Sequence, residues 1–344
     1  MRKHYMDNLR WITILLVVPY HVFMIYCTIA QFYVHSTVTL GIADIFLGIL
    51  APWFMALLFF IAGISTAYSL RKRSYTQYIK ERITKLLIPF IAALILIDPI
   101  IYFIDLLGKN PHTSFITAFT GFFTSGELYH IWFILTLFIV SLVALPIIYW
   151  VKKKNWKVPV DKINIGVIIL FFLLLALLAP IIQINTAISI GTAFSLFILG
   201  YLFFAEDTLQ AQVKKYTWPL SIAFIILTLI NLYIIFNTTF YMTYFYCIFN
   251  SLLVWIAVLA VMGLGMKFLE FHNNTTQYLA QASFALYIFH LPWLLVIAYL
   301  IIPVVPNILL QFIIILIGTF ITSIGTYELF RRISVTRFLF GIRK

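Results

Sequence analysis

Arg10 and His21 pair a guanidinium, which holds anions, with an imidazole, which takes a proton near neutral pH. Eleven positions separate them, which at about 100° per residue is roughly 1100°, about 20° from whole turns, with about 16 Å of rise. On one helix the two side chains therefore face the same way at different depths. Pro19, two positions before His21, removes a helical hydrogen bond and crowds the preceding turn, so a bend beside the imidazole is expected. A neutral imidazole in such a place acts as general base on a hydroxyl. The alternative is a buried histidine satisfied by a neighbouring helix.

The remaining chemistry-bearing residues are few. Arg71, Arg73, Arg82 and Lys85 form a basic group in which Arg82 and Lys85, three apart, are expected to share a helical face and meet an anion. Topogenic charge or lipid headgroup contact is the other reading of those cations. His130 stands with Glu127 and Trp132, and Tyr287 and His290 lie at i, i+3 beside Pro292. Asp98 precedes Pro99 and can orient a histidine or carry a proton, while Glu328 can pair with Arg10 or Arg331.

The elements that must hold these residues are membrane helices. The chain is 63% hydrophobic and only 10% charged, more apolar surface than a water-soluble fold of this length can hide. Long uncharged runs predict spans near 11–32, 46–68, 86–107, 130–151, 163–183, 187–204, 217–236, 243–266, 282–302 and 308–330. The expected fold is thus all-α, a polytopic bundle of about ten transmembrane helices. Lysines and arginines alternate between the connections so completely that all but Lys109 fall on one side, which places both termini in the cytosol and the chain in the cell membrane.

The net charge of +12 has its explanation in that topology, and no nucleic-acid partner is expected. Cys27 and Cys247 fall inside spans and read as packing residues rather than a disulfide or metal cluster. The first apolar run is too long for a secretory signal and lacks a small-residue cleavage site, so it is expected to stay as a helix. No internal repeat or domain linker interrupts 1–344, so one helical domain is expected. Two connections are long: 69–85, basic and helix-compatible, suits an anionic ligand, and 108–129 suits a lid or acceptor-side loop.

Residues 7–26, DNLRWITILLVVPYHVFMIY, resemble the opening helix of the acyltransferase-3 family of membrane acyltransferases, in which an arginine is followed by a histidine at the spacing of Arg10 and His21. The same family is matched in order by LLFFIAGIS at 57–65, YIKERITKLLIPF at 78–90, HIWFILTLF at 130–138, SFALYIFHLPW at 283–293 and YELFRR at 327–332. The first helix is most similar to the glucan-modifying succinyltransferase branch. Two departures stand out: Ala62-Gly63 replaces a frequent Ser-Gly, and Lys85 replaces the second arginine of an R-x-x-R motif, keeping charge but losing bidentate geometry.

The resemblance implies transfer of an acyl group, acetyl or succinyl, from cytosolic acyl-coenzyme A to a hydroxyl of an envelope glycan or lipid-linked acceptor. Acyl-coenzyme A is then a co-substrate; no permanently bound cofactor and no metal are expected. His21 and Arg10 become the catalytic pair, Arg71, Arg73, Arg82 and Lys85 the donor site, and Tyr20, His130, Trp132, Tyr287 and His290 the pocket or acceptor side, with Asp98 and Glu328 as orienting acids. The rival reading is a transporter or flippase with His21, Asp98 and His290 as a proton relay; it calls for inverted repeats, which the sequence does not display.

Overall fold

A computed structural model describes residues 3–156, 158–183, 188–239 and 243–342. Arg2, Lys157, Arg343 and Lys344, counted above among the basic residues, lie outside them. Among the described residues there is no β-strand, only an isolated bridge between Gln183 and Ser189. The helices, in chain order, are α1 His4–Met24, α2 Gly41–Leu50, α3 Phe54–Leu70, α4 Tyr75–Arg82, α5 Ile88–Leu96, α6 Asp98–Lys109, α7 Phe115–Ser125, α8 Trp132–Val143 and α9 Leu145–Lys153. They continue with α10 Ile165–Leu170, α11 Phe172–Leu178, α12 Ile190–Leu202, α13 Asp207–Lys215, α14 Thr217–Asn237, α15 Tyr244–Phe268, α16 Asn274–Ile301, α17 Ile308–Phe330 and α18 Ser334–Leu339.

An all-helical chain of this composition follows from the solvent: in hydrocarbon each backbone N–H and C=O must find its partner within the protein, and a helix supplies it locally. Among the described residues seven stretches are long and apolar enough to cross a membrane: Gly41–Leu70, Tyr75–Lys109, Trp132–Lys153, Thr217–Asn237, Phe245–Phe268, Asn274–Ile301 and Ile308–Phe330, with an eighth if α12 and α13, bent by 110°, count as one. The protein is a helical membrane bundle, and its described residues hold fewer such stretches than the about ten expected.

Three departures from the expected segments have local causes. The first expected span ends at Met24 because the Asp44 carboxylate accepts the N–H groups of Thr28 and Ile29 at 2.7 and 3.2 Å and the Thr28 hydroxyl at 2.7 Å, offering this backbone an alternative to the helical ladder. In the span expected over 163–183, α11 stops at Leu178, just before Ala179 and Pro180. The loop expected over 108–129 contains α7, which the Ser114 side chain caps by accepting from the Thr117 N–H and which Gly126 ends at φ 69°.

The chain divides into two compact units. One comprises Met1–Arg10, Gly48–Arg82 and Thr136–His272; the other comprises Trp11–Leu47, Ile83–Leu135 and Asn273–Lys344. In the first, α3 and α12 cross where each lacks a side chain: a Cβ at Gly63 would lie 2.0 Å from the Phe197 carbonyl oxygen, and one at Gly200 2.4 Å from that of Phe60. Such seams are how membrane helices approach closely. Trp255 is fully buried, its ring edge-on to Phe60 and Phe204 and its indole N–H donating to the Ile168 carbonyl at 2.7 Å. In the second unit, Val22, Ile25 and Tyr26 pack with Ile101, Leu291, Leu294 and Ile315 in one apolar core. There α16 begins with a capping box in which Asn273 and Thr276 each accept the other's backbone N–H.

Candidate functional site

The site is built around an interruption in α16. Pro292 has no N–H, so the carbonyl four residues back, Ile288, has no helical donor. His130 fills the vacancy: its Nε2 lies 2.9 Å from the Ile288 oxygen. The Tyr287 hydroxyl in turn donates to the His130 backbone carbonyl. One proline thus draws the segment ahead of α8 onto α16 and fixes a buried imidazole there, whose Nδ1 has no partner among the described residues.

His290, fully buried on the same stretch of α16, points its Nδ1 at the carbonyls of Tyr287 and Leu286, at 2.7 and 3.2 Å. Its Nε2 lies 2.9 Å from Nδ1 of His21 on α1. The His21 and His290 rings are stacked with centroids 5.1 Å apart, and the Phe32 ring also stacks on His21, at 5.8 Å. Tyr20 meets His21 edge-on at 5.6 Å, and His130 meets His290 edge-on at 5.1 Å. His21 is half-buried, so of the three imidazoles it is the one that can meet a substrate.

Asp98 opens α6 immediately after the break at Ile97. Its carboxyl is fully buried, and neither oxygen has a hydrogen-bond partner among the described residues. An isolated carboxyl at such depth is costly without a compensating partner. His21, His130, His290, Tyr287 and Asp98 all belong to the second unit.

The other expected residues are placed as follows. Trp132 is the first residue of α8. Arg10, on the same uninterrupted helix as His21, bonds Asp7 at 3.0 Å and the Ser65 hydroxyl. Ser65 closes the 57–65 segment singled out above, whereas Gly63 serves helix contact. Arg71 faces Glu206 at 3.7 Å and Arg73 pairs with Glu81 at 2.7 Å. Arg82 lies over the Tyr78 ring at 4.6 Å and reaches the Thr66 hydroxyl at 3.4 Å. A π-helical turn, Ile83–Leu87, follows and contains Lys85. Glu328 pairs with Arg331 at 2.8 Å and accepts from the Tyr278 hydroxyl at 2.8 Å.

Sequence reasoning passed over Phe32 and the segment between α1 and α2 that carries it. The Phe32 N–H donates to His35 Nε2 at 2.7 Å, and the Asp44 bonds described above hold the start of this segment. The available signal was Asp44 itself, an acid within an apolar stretch. Among the described residues no group of three or more His, Cys, Asp or Glu side chains is arranged to hold a metal ion.

Comparison with known proteins extends these observations. Residues 3–328 match the family model described as an acyltransferase domain. Over an alignment of 366 positions that covers 99% of its own length and 94% of theirs, the chain is 26% identical to proteins called glucans biosynthesis protein C from Salmonella schwarzengrund strain CVM19633, Salmonella paratyphi B and Salmonella heidelberg. No solved structure matches it significantly.

Proposed function

The chain belongs to the acyltransferase-3 family of membrane acyltransferases, and from that membership we propose that it moves an acyl group, acetyl or succinyl, from acyl-coenzyme A to a hydroxyl of a cell-envelope glycan. Relatives named for glucan biosynthesis support a glucan as the acceptor class. The observation that carries the reading is the contact of His21 with His290 at 2.9 Å, which gives the histidine of the Arg10–His21 spacing a fixed orientation on α1. The domain is taken as one catalytic domain over 1–344, in the plasma membrane, with both termini cytosolic.

In this mechanism the acceptor hydroxyl gives its proton to His21 as its oxygen attacks the thioester carbonyl. The tetrahedral intermediate collapses by breaking the carbon–sulfur bond, and the proton passes to the departing sulfur. The thioester is already activated, so no serine or cysteine nucleophile is required. Arg10, Arg71, Arg73, Arg82 and Lys85 supply positive charge for the donor's phosphates. The ion pairs of Arg71 with Glu206 and of Arg73 with Glu81 are between partly exposed groups, so exchanging a carboxylate for a phosphate there costs little. Tyr20, His130, Trp132 and Tyr287 line the acceptor side, with Asp98 as an acid that orients hydroxyls. Glu328, tied to Tyr278 and Arg331, steadies the end of α17.

The test is thiol release by purified protein given acetyl- or succinyl-coenzyme A and glucose oligosaccharides. His21→Ala at matched expression is expected to lower turnover by a factor on the order of 10²–10⁴. Equal turnover in both proteins rejects the base; acceptor movement without thiol release supports transport instead.

A further inference from the structure

Carbonyl oxygens accept hydrogen bonds and never donate them, and that fact propagates through the histidine pair. Nδ1 of His290 faces two carbonyls, Tyr287 at 2.7 Å and Leu286 at 3.2 Å, so Nδ1 must carry a hydrogen. Neutral His290 then has a bare Nε2. The group 2.9 Å away, Nδ1 of His21, must be the donor across that contact. Neutral His21 with its hydrogen on Nδ1 has its lone pair on Nε2, the nitrogen turned away from His290. The backbone of α16 thereby dictates which nitrogen of a residue on α1 is basic.

We propose that His290 is a positioning residue that holds His21 in the Nδ1–H tautomer and aims its bare Nε2 at the acceptor hydroxyl. This rests on the assignment of His21 as the base. In the forward step the acceptor O–H bond breaks, its proton bonds to His21 Nε2, and the oxygen's electron pair forms the new carbon–oxygen bond. The carbonyl's π pair moves onto its oxygen as that bond forms; in the second step it returns to restore the carbonyl, the carbon–sulfur bond breaks with its pair going to sulfur, and the proton leaves Nε2 for that sulfur to give a neutral thiol. His290 stays neutral throughout and its own hydrogen never moves, because a backbone carbonyl is no destination for it.

A neutral imidazole and a carboxylate are different orienting groups. Each can accept the Nδ1–H bond, but a carboxylate adds a counter-charge that stabilises the imidazolium once it has formed. His290 offers direction without that charge, so the imidazolium of His21 is held only by a hydrogen bond in a largely dry setting, where an unpaired cation is costly. That favours rapid return of the proton to sulfur. The arrangement suits a thioester, whose carbonyl needs a correctly aimed base more than a strong one. Phe32, stacked on His21 at 5.8 Å, and Tyr20, edge-on at 5.6 Å, restrict rotation of the ring about this aim.

The experiment compares His290→Leu and His290→Gln with wild type by thiol release, using acetyl- or succinyl-coenzyme A and glucose oligosaccharides in the same nanodiscs. A glutamine oxygen can accept from His21 near the place of the imidazole Nε2; leucine cannot. His290→Leu is expected to lower kcat by a factor on the order of 10²–10⁴ with KM for donor and acceptor within about threefold, and His290→Gln to recover at least about tenfold of that loss. Protein labelled with nitrogen-15 in histidine gives a reading independent of turnover. The His21 signals, identified by their loss in His21→Gln, are expected to show a protonated Nδ1 and a bare Nε2. Equal kcat losses in the Leu and Gln variants, an unchanged kcat in His290→Leu, or a protonated Nε2 on His21 with His21→Gln inactive each overturn the positioning role alone. An active His21→Gln overturns the base assignment and the role together.

Discussion

At the scale of single residues, the most instructive is Pro292. By lacking one hydrogen it leaves the Ile288 carbonyl open, and His130 Nε2 occupies that opening at 2.9 Å. His130→Leu therefore strands a buried acceptor and is expected to cost about 1–3 kcal/mol in thermal unfolding of the purified protein. Adding Pro292→Ala restores an N–H for Ile288 and is expected to return a large part of that loss. If the double variant is no more stable than the single one, the carbonyl is not what His130 satisfies. The sequence made part of this site legible: Arg10 and His21 stood out because helical phase can be counted along one segment, and Asp98 and His290 because ionisable groups are rare at membrane depth. It could not reveal that His290 faces His21, since that contact joins α1 to α16, and side-chain partners between distant segments are set by packing rather than by local spacing. Phe32 was invisible for the opposite reason, being one phenylalanine among 34.

At the scale of elements, the helices are positioned by small residues and by breaks. Gly63 and Gly200 let α3 and α12 touch backbone to backbone. Either glycine changed to alanine puts a Cβ against a carbonyl oxygen that no side-chain rotation can move, so each substitution is expected to destabilise by about 1–3 kcal/mol. The two losses are expected to add imperfectly because they share one seam. Gly325→Ala on α17, with nothing within 4 Å of the added carbon, is the control and should leave the melting temperature unchanged or slightly raised; a drop as large as that of Gly63→Ala would remove the packing explanation. Apolar runs announced α14, α15 and α17 close to their observed bounds, because length and hydropathy alone decide them. They did not announce the π turn at Ile83–Leu87, whose residues are ordinary helix formers, nor the end of α1 at Met24. In the latter case the deciding group, Asp44, lies outside the segment it terminates.

At the scale of the whole molecule, the distribution of basic residues is the strongest statement the sequence makes, and it yields a direct prediction. On the proposed orientation, which makes Lys109 the lone cation of the outward connections, an impermeant maleimide applied to intact cells should label Lys109→Cys and leave Lys72→Cys untouched until the membrane is opened. Labelling of Lys72→Cys from outside would reverse the proposed orientation and the side from which the donor arrives. The bond between His130 and the Ile288 carbonyl also has a meaning for descent. Because proline at 292 creates the opening that histidine at 130 closes, neither is free to drift alone. Among relatives the two should be inherited as a couple: a lineage that regains an amide at the first position is released from keeping an imidazole at the second, and the loss of one should mark, in that lineage, the loss of the other.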